Sequence, residues 1–123
     1  MAKKTETRRV FVYGTLKSSE GNHHLLEQAV LLGEDKTEAR FTMINLGYYP
    51  GVLLHGSNQI SGEVYEITPE IESNLDALEG VDYGLYGKTT VNTKFGPALM
   101  YHYLRANLAG VSNYQTIPEG VWK

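Results

Sequence analysis

Apolar residues along this chain recur mostly at every second position, in short runs broken by glycine, proline and asparagine, and one segment carries a helical period. The first run, Arg9-Val10-Phe11-Val12-Tyr13, is β-branched and aromatic and apolar on both faces. It is too short for a stable helix and predicts a buried central strand that ends at Gly14. Residues 30–32, 39–46 and 52–54 predict further short strands. Over residues 60–67 the alternation is cleaner, with Ile60, Gly62, Val64 and Glu66 facing one way and Ser61, Glu63, Tyr65 and Ile67 the other. Residues 89–94 and 98–104 predict a hairpin turning through Phe95-Gly96-Pro97. In its second strand Leu99, Tyr101 and Tyr103 share one face and Met100, His102 and Leu104 the other, as in a sheet covered on both sides.

The helical segment runs over residues 68–80. Thr68 is its N-cap, Pro69 occupies the first turn, Glu70 and Glu72 complement the dipole, and Gly80 is placed to end it. Ile71, Leu75 and Leu78 form the apolar stripe. At about 100° per residue Glu79 falls near the edge of that stripe, not on the opposite face. A shorter helix is predicted over residues 23–29, with Asn22 as its cap. The segment Leu46-Gly47-Tyr48-Tyr49-Pro50-Gly51 reads as an ordered loop, its tyrosines either facing a ligand or capping an open end of the core.

Composition narrows the picture. A chain of 123 residues, 41% hydrophobic and 20% charged, suits one domain with its own core. The expected organisation is a frayed lead-in over residues 1–8 and a single domain over 9–123, with a C-terminal tail at 106–123 whose Trp122 docks on the domain or at a partner. A formal charge of −3 offers no field for nucleic acid or anionic lipid, and no run is long enough to span a bilayer. The absence of cysteine removes thiolate chemistry and sulfur metal sites and is compatible with a cytoplasmic location. His23 and His24 diverge on a helix, His55 and His102 lie far off, and no metal or cofactor is expected.

Three features are candidates for chemistry. After Val10-Phe11-Val12, the stretch Tyr13-Gly14-Thr15-Leu16-Lys17 leaves a strand at a glycine able to take unusual backbone angles. Its amides can converge on a small anion with Lys17 alongside, and the alternative is a plain tight turn. Glu63 shares a face with Tyr65 and Ile67, so it is either a half-buried carboxylate needing a partner or a solvent-facing one. Glu79, at a helix C-terminus among apolar neighbours, would have its pKa raised by the dipole and by lost solvation, which suits general acid/base work near neutral pH. The alternative is a glutamate frayed into solvent.

Val10 to Lys17 read with Asn22-His23, Gly62-Glu63-Val64-Tyr65, Leu75-Asp76-x-Leu78-Glu79 and Tyr86, in that order, resembles the γ-glutamylcyclotransferase-like family, in particular its short bacterial members and γ-glutamylamine cyclotransferase. The likeness covers residues 10–103, and the ending Gly120-Val121-Trp122 fits the short bacterial members. It implies an α+β fold, a small mixed β-barrel with short helices packed outside. It also implies that Tyr13, Gly14, Thr15 and Leu16 hold the glutamyl part of a substrate, that Glu79 is the acid/base and that Tyr86 lines the pocket. Many relatives have an arginine where this chain has Lys88. The implied reaction is intramolecular: the α-amino group of a γ-glutamyl amine attacks its own side-chain amide, giving 5-oxoproline and free amine without a cofactor. The rival expectations are a module that binds a small carboxylate without chemistry, and a partner-binding protein using exposed tyrosines and Trp122.

Overall fold

The run after Arg8 is apolar on both faces, which suits a central strand whose two faces are each covered by core. In the computed structural model, which describes residues 8–14, 16, 17, 21, 23–110 and 114–122, strand β1 (Arg8–Val12) lies at the middle of a five-stranded sheet. Its sheet partners are β5 (Ser61–Ile67), antiparallel, and β7 (Gly96–Tyr103), parallel. β2 (Val30–Lys36) pairs with β5 at one edge and β6 (Tyr86–Thr93) with β7 at the other. A second sheet has three strands in the order β4 (Pro50–Asn58), β3 (Phe41–Asn45), β8 (Gln115–Thr116).

Alternation along β1 divides the core in two. Val10 and Val12 join Tyr65, Ile67, Ile71, Leu75 and Tyr101 beneath the helix, while Phe11 and Tyr13 join Phe41, Met43, Val52, Val64 and Met100 toward the second sheet. Trp122 is partly buried against this second cluster, so the tail docks on the domain. The ends of the large sheet meet through side chains. Asp35 Oδ2 accepts the Lys94 amide at 2.8 Å, Asn92 Nδ2 donates to Glu38 Oε1 at 3.1 Å, and the Phe95 ring lies over Gly33. No hydrogen-bonded ladder closes a barrel among the described residues, and the architecture is mixed α+β, mostly sheet.

Helix α1 (Pro69–Leu78) forms where its caps place it. Thr68 Oγ1 accepts the Ile71 amide at 3.3 Å, and Gly80 turns the chain off at φ +64°, a conformation that costs glycine little. Leu75 is fully buried and Ile71 nearly so. Thr68→Ala should lower the free energy of unfolding by about 1 kcal/mol, the usual worth of such a cap, read by urea denaturation.

Three expectations about elements are corrected. The helix over 23–29 is a 3₁₀ turn, His23–Leu26, whose Nδ1 of His23 lies 3.1 Å from the Leu16 carbonyl; its Asn22 cap lies outside the described residues. The β6–β7 hairpin turns at Lys94-Phe95, with Thr93 opposite Gly96, so Gly96 and Pro97 belong to the strand. Pro97 is tolerated because it lies beyond the part of β7 that pairs with β1, which starts at Leu99. β4 begins at Pro50 and extends to Asn58, well past the apolar piece that signalled it. The lead-in 1–8 lies outside the described residues except for Arg8, which opens β1 opposite Ile67.

Candidate active site

A cavity of about 330 Å³ opens where β1 ends, between the C-terminus of α1 and the loop before β4. The strand β1 ends there because its ladder to β5 stops at Val12 opposite Glu63, and the chain then turns: the Gly14 carbonyl accepts the Lys17 amide at 3.1 Å. Val12, Tyr13, Gly14 and Leu16 form one wall. Glu79, with Leu78 and Leu85, lines it from the end of α1 and the segment that follows, and Tyr86 and Tyr101 line it from the β6–β7 hairpin. Tyr48, Tyr49 and Pro50 complete the rim.

Glu79 is held in place by the end of its helix. It is the C-cap residue, its amide donating to the Leu75 carbonyl at 2.9 Å, and Gly80 immediately reverses the backbone. Its side chain is only partly exposed, and burial raises its pKa to about 7. Among the described residues, no hydrogen bond or ion pair engages its carboxylate. The cause of the upward shift is desolvation, one of the two effects expected from the sequence.

The tyrosines around it are a frame. Tyr13 Oη donates to the Tyr101 carbonyl at 2.7 Å, Tyr86 Oη to the Pro50 carbonyl at 2.8 Å, and Tyr101 Oη to Asp76 Oδ1 at 2.6 Å. Burial pushes all three phenols up, with the Glu79 charge adding to the effect, so they remain protonated and keep these donations at any pH of interest. Asp76 is in turn tied to Lys88 Nζ at 3.1 Å, and Lys88 to Glu72 Oε2 at 2.7 Å. Glu72, 6% exposed, completes the set with Arg8 at 3.0 Å. Lys88 therefore neutralises Glu72 and Asp76 on α1 and does not line the cavity.

Of the residues singled out from the sequence, Tyr13, Gly14, Leu16, Glu79 and Tyr86 line this one cavity, and Thr15 lies outside the described residues. Lys17 and Glu63 are placed elsewhere. They line a second, more open depression, with Lys17 Nζ donating to the Trp122 carbonyl at 2.6 Å and Glu63 Oε1 accepting from Tyr65 Oη at 3.1 Å. Glu63 is 8% exposed, so of the two readings its alternation allowed, the buried one with a partner holds. Gly14 also differs from expectation: its φ is not in the left-handed region, and what it supplies is close approach, since a Cβ there would stand 2.8 Å from Pro50 Cγ. Leu78, counted in the apolar stripe, is 40% exposed at the rim. Tyr101, Leu78 and Leu85 were not anticipated as cavity residues; only their apolar or aromatic character marked them. Among the described residues no cluster of His, Asp and Glu is arranged to hold a metal ion, and no helix is long and apolar enough to cross a membrane.

The domain is α+β, and Glu79, a desolvated carboxylate unengaged among the described residues, lines the same small cavity as the turn that follows β1. The chain belongs to the AIG2-like γ-glutamyl cyclotransferase family, whose model matches residues 10–123. It is 42% identical over 94 residues to a putative γ-glutamylcyclotransferase of Vibrio cholerae, covering 76% of this chain and 80% of that one. It is 36% identical to the γ-glutamylcyclotransferase family protein YtfP of Escherichia coli, over 93% of this chain and 95% of that one. The solution structure of that protein superposes with a TM-score of 0.72. A γ-L-glutamyl-butirosin B γ-glutamyl cyclotransferase of Niallia circulans is 38% identical over 57% of this chain and 44% of its own. These likenesses support cyclotransferase activity on a small γ-glutamyl molecule.

Proposed function

We propose that this protein converts a γ-glutamyl amine, or a related small γ-glutamyl compound, to 5-oxoproline and free amine, with Glu79 as general base and then general acid. The observation that carries the reading is the Glu79 carboxylate: unengaged among the described residues, desolvated to a pKa of about 7, and lining the same cavity of small-molecule size as Tyr13, Gly14 and Leu16 of the turn after β1. Glu79 takes a proton from the substrate's α-ammonium. The amine nitrogen then attacks the γ-carbonyl carbon, closing the five-membered lactam. As the C–N bond to the leaving amine breaks, Glu79 returns its proton to that nitrogen; the ring nitrogen sheds its second proton as it becomes the lactam N–H, and the departing amine takes that proton up as an ammonium.

The backbone amides of the turn receive the glutamyl α-carboxylate or the developing oxyanion. Because nucleophile and electrophile belong to one molecule, holding the chain curled supplies an advantage of up to about 7–11 kcal/mol, with the proton transfers adding about 10²- to 10⁴-fold. A second nucleophile or a cofactor is not required by this chemistry. We place the reaction in the cytoplasm, as an expectation from the cysteine-free composition.

The test is incubation of the purified protein with γ-glutamyl amines and γ-glutamyl dipeptides, following 5-oxoproline by mass spectrometry. Product from at least one of them is expected. No product across the panel, with 5-oxoproline still bound, would instead favour a small-carboxylate binding module. The reading also fixes a pH dependence. Glu79 must begin ionised, so kcat/KM should rise about tenfold per pH unit below a midpoint near 7 and level off above it, as read from a pH–rate profile. A limb centred in the ordinary carboxylate range would count against Glu79 as the base.

A further inference from the structure

The cavity grades from a buried floor to an apolar rim. At the floor, Val12, Tyr13 and Tyr86 are 3%, 6% and 3% exposed. At the rim, Tyr48, Tyr49 and Leu78 are 94%, 39% and 40% exposed. Large apolar side chains left in water singly are ordinary, but three of them gathered around one opening mark a surface that a ligand covers. Charge is distributed to the same end. Apart from Glu79, every described lining residue is uncharged at neutral pH; Lys17 and Lys88 do not line the cavity, Lys17 donating to the Trp122 carbonyl and Lys88 pairing with Glu72 and Asp76. A carboxylate carried past the scissile bond would therefore lose water without meeting a counter-charge.

We infer that the leaving group is a neutral apolar or aromatic amine whose substituent lies against Tyr48, Tyr49 and Leu78, and that amides whose leaving group carries a free carboxylate or a second ammonium are poor substrates. This rests on the cyclotransferase reading above and adds to it the class of amine. With the glutamyl part at the floor beside Glu79, the amide nitrogen points outward and its substituent has only the rim to occupy. The rim is aliphatic as well as aromatic, through Leu78, Leu85 and Pro50, so it favours apolar area over a cation held on a ring face.

The experiment compares kcat/KM, by 5-oxoproline release, for four amides with the same glutamyl group: γ-glutamylphenethylamide, γ-glutamylethylamide, γ-glutamyl-(2-aminoethyl)amide and γ-glutamylglycine. The phenethyl amide should exceed the ethyl amide by about tenfold or more, and the two charged amides should fall below the ethyl amide. Tyr48→Ala, at a side chain too exposed to affect folding, should shrink the phenethyl-to-ethyl ratio several-fold. Equal values across the four, or a preference for the aminoethyl or glycine amide, would overturn the inference while leaving the cyclotransferase reading intact. If no amide gives 5-oxoproline, that reading fails, and calorimetric titration with the same amides reads the rim directly. Equal affinity for phenethyl and ethyl amides would then overturn this inference too.

Discussion

Glu79→Gln should abolish turnover, lowering kcat by about 10²- to 10⁴-fold while KM for a γ-glutamyl substrate stays within a few-fold. Glutamine keeps the shape and polarity of the side chain but can neither take the ammonium proton nor return it to the leaving amine. Because the described structure engages the Glu79 carboxylate in no hydrogen bond or ion pair, the substitution breaks no tie that holds the fold. A stability measurement on the same variant separates the acid/base role from a structural one. The Glu79 pKa of about 7 stands above the ordinary glutamate value of 4.5, so the folded state binds more protons than the unfolded state between those values. Its contribution to stability therefore worsens as pH rises from about 4.5 to about 7, and the penalty is complete above that. Glutamine does not ionise. In urea denaturation the variant should gain at most about 3 kcal/mol over the wild type at pH 8, with the gain vanishing near pH 4, since each pH unit between the two midpoints is worth about 1.4 kcal/mol. A variant that is inactive and also less stable at pH 8 would argue that Glu79 is a structural residue.

What the sequence made legible is what local chemistry decides. The double-faced apolar run at 9–13 could satisfy both faces only inside a covered sheet, and β1 is central. Thr68, Pro69 and Gly80 bound α1 through contacts within a few residues, and that boundary is what brings Glu79 to the edge of the core. The cavity itself is a long-range product. Tyr49 meets Tyr86 with ring centroids 6.5 Å apart, and Tyr13 bonds to Tyr101 across 88 positions of sequence. Nothing near Tyr101 in the chain distinguishes it from Tyr103. Lys17 illustrates the reverse error. Its position beside the turn suggested an anion partner, but its four-carbon stem reaches the carbonyl of Trp122, a residue 105 positions away whose docking no local pattern specifies. Glu72 stands in the first turn of α1, as a helix-dipole residue should, but its burial and its ties to both Arg8 and Lys88 come from residues 64 and 16 positions away that no local pattern specifies.

Gly14→Ala should cost about 10²-fold in kcat/KM and about 1–3 kcal/mol in stability, through displacement of the cavity wall. The φ of Gly14 lies outside the left-handed region, so the effect is expected from contact. The new methyl would stand 2.8 Å from Pro50 Cγ and 3.0 Å from Pro50 Cδ, and one side must move. Pro50 is poorly placed to give way: it opens β4 opposite Asn45, its carbonyl accepts the Tyr86 hydroxyl, and it follows directly on Tyr49 at the rim. If the proline yields, Tyr86 and the rim shift with it; if the turn yields, the cavity wall formed by Tyr13, Gly14 and Leu16 is displaced. Either route misaligns a reaction whose advantage lies in holding one curled conformation, where a shift of about 1 Å is enough to cost two orders of magnitude. Relief of the same contact checks the cause. In a double-mutant cycle, Pro50→Ala should restore about tenfold of the loss in the Gly14→Ala background, because the clashing ring atoms are gone. Additive losses would place the role of Gly14 in its backbone conformation after all, and kcat/KM within twofold of wild type for Gly14→Ala alone would show that the approach of β1's exit to β4 does not govern the site.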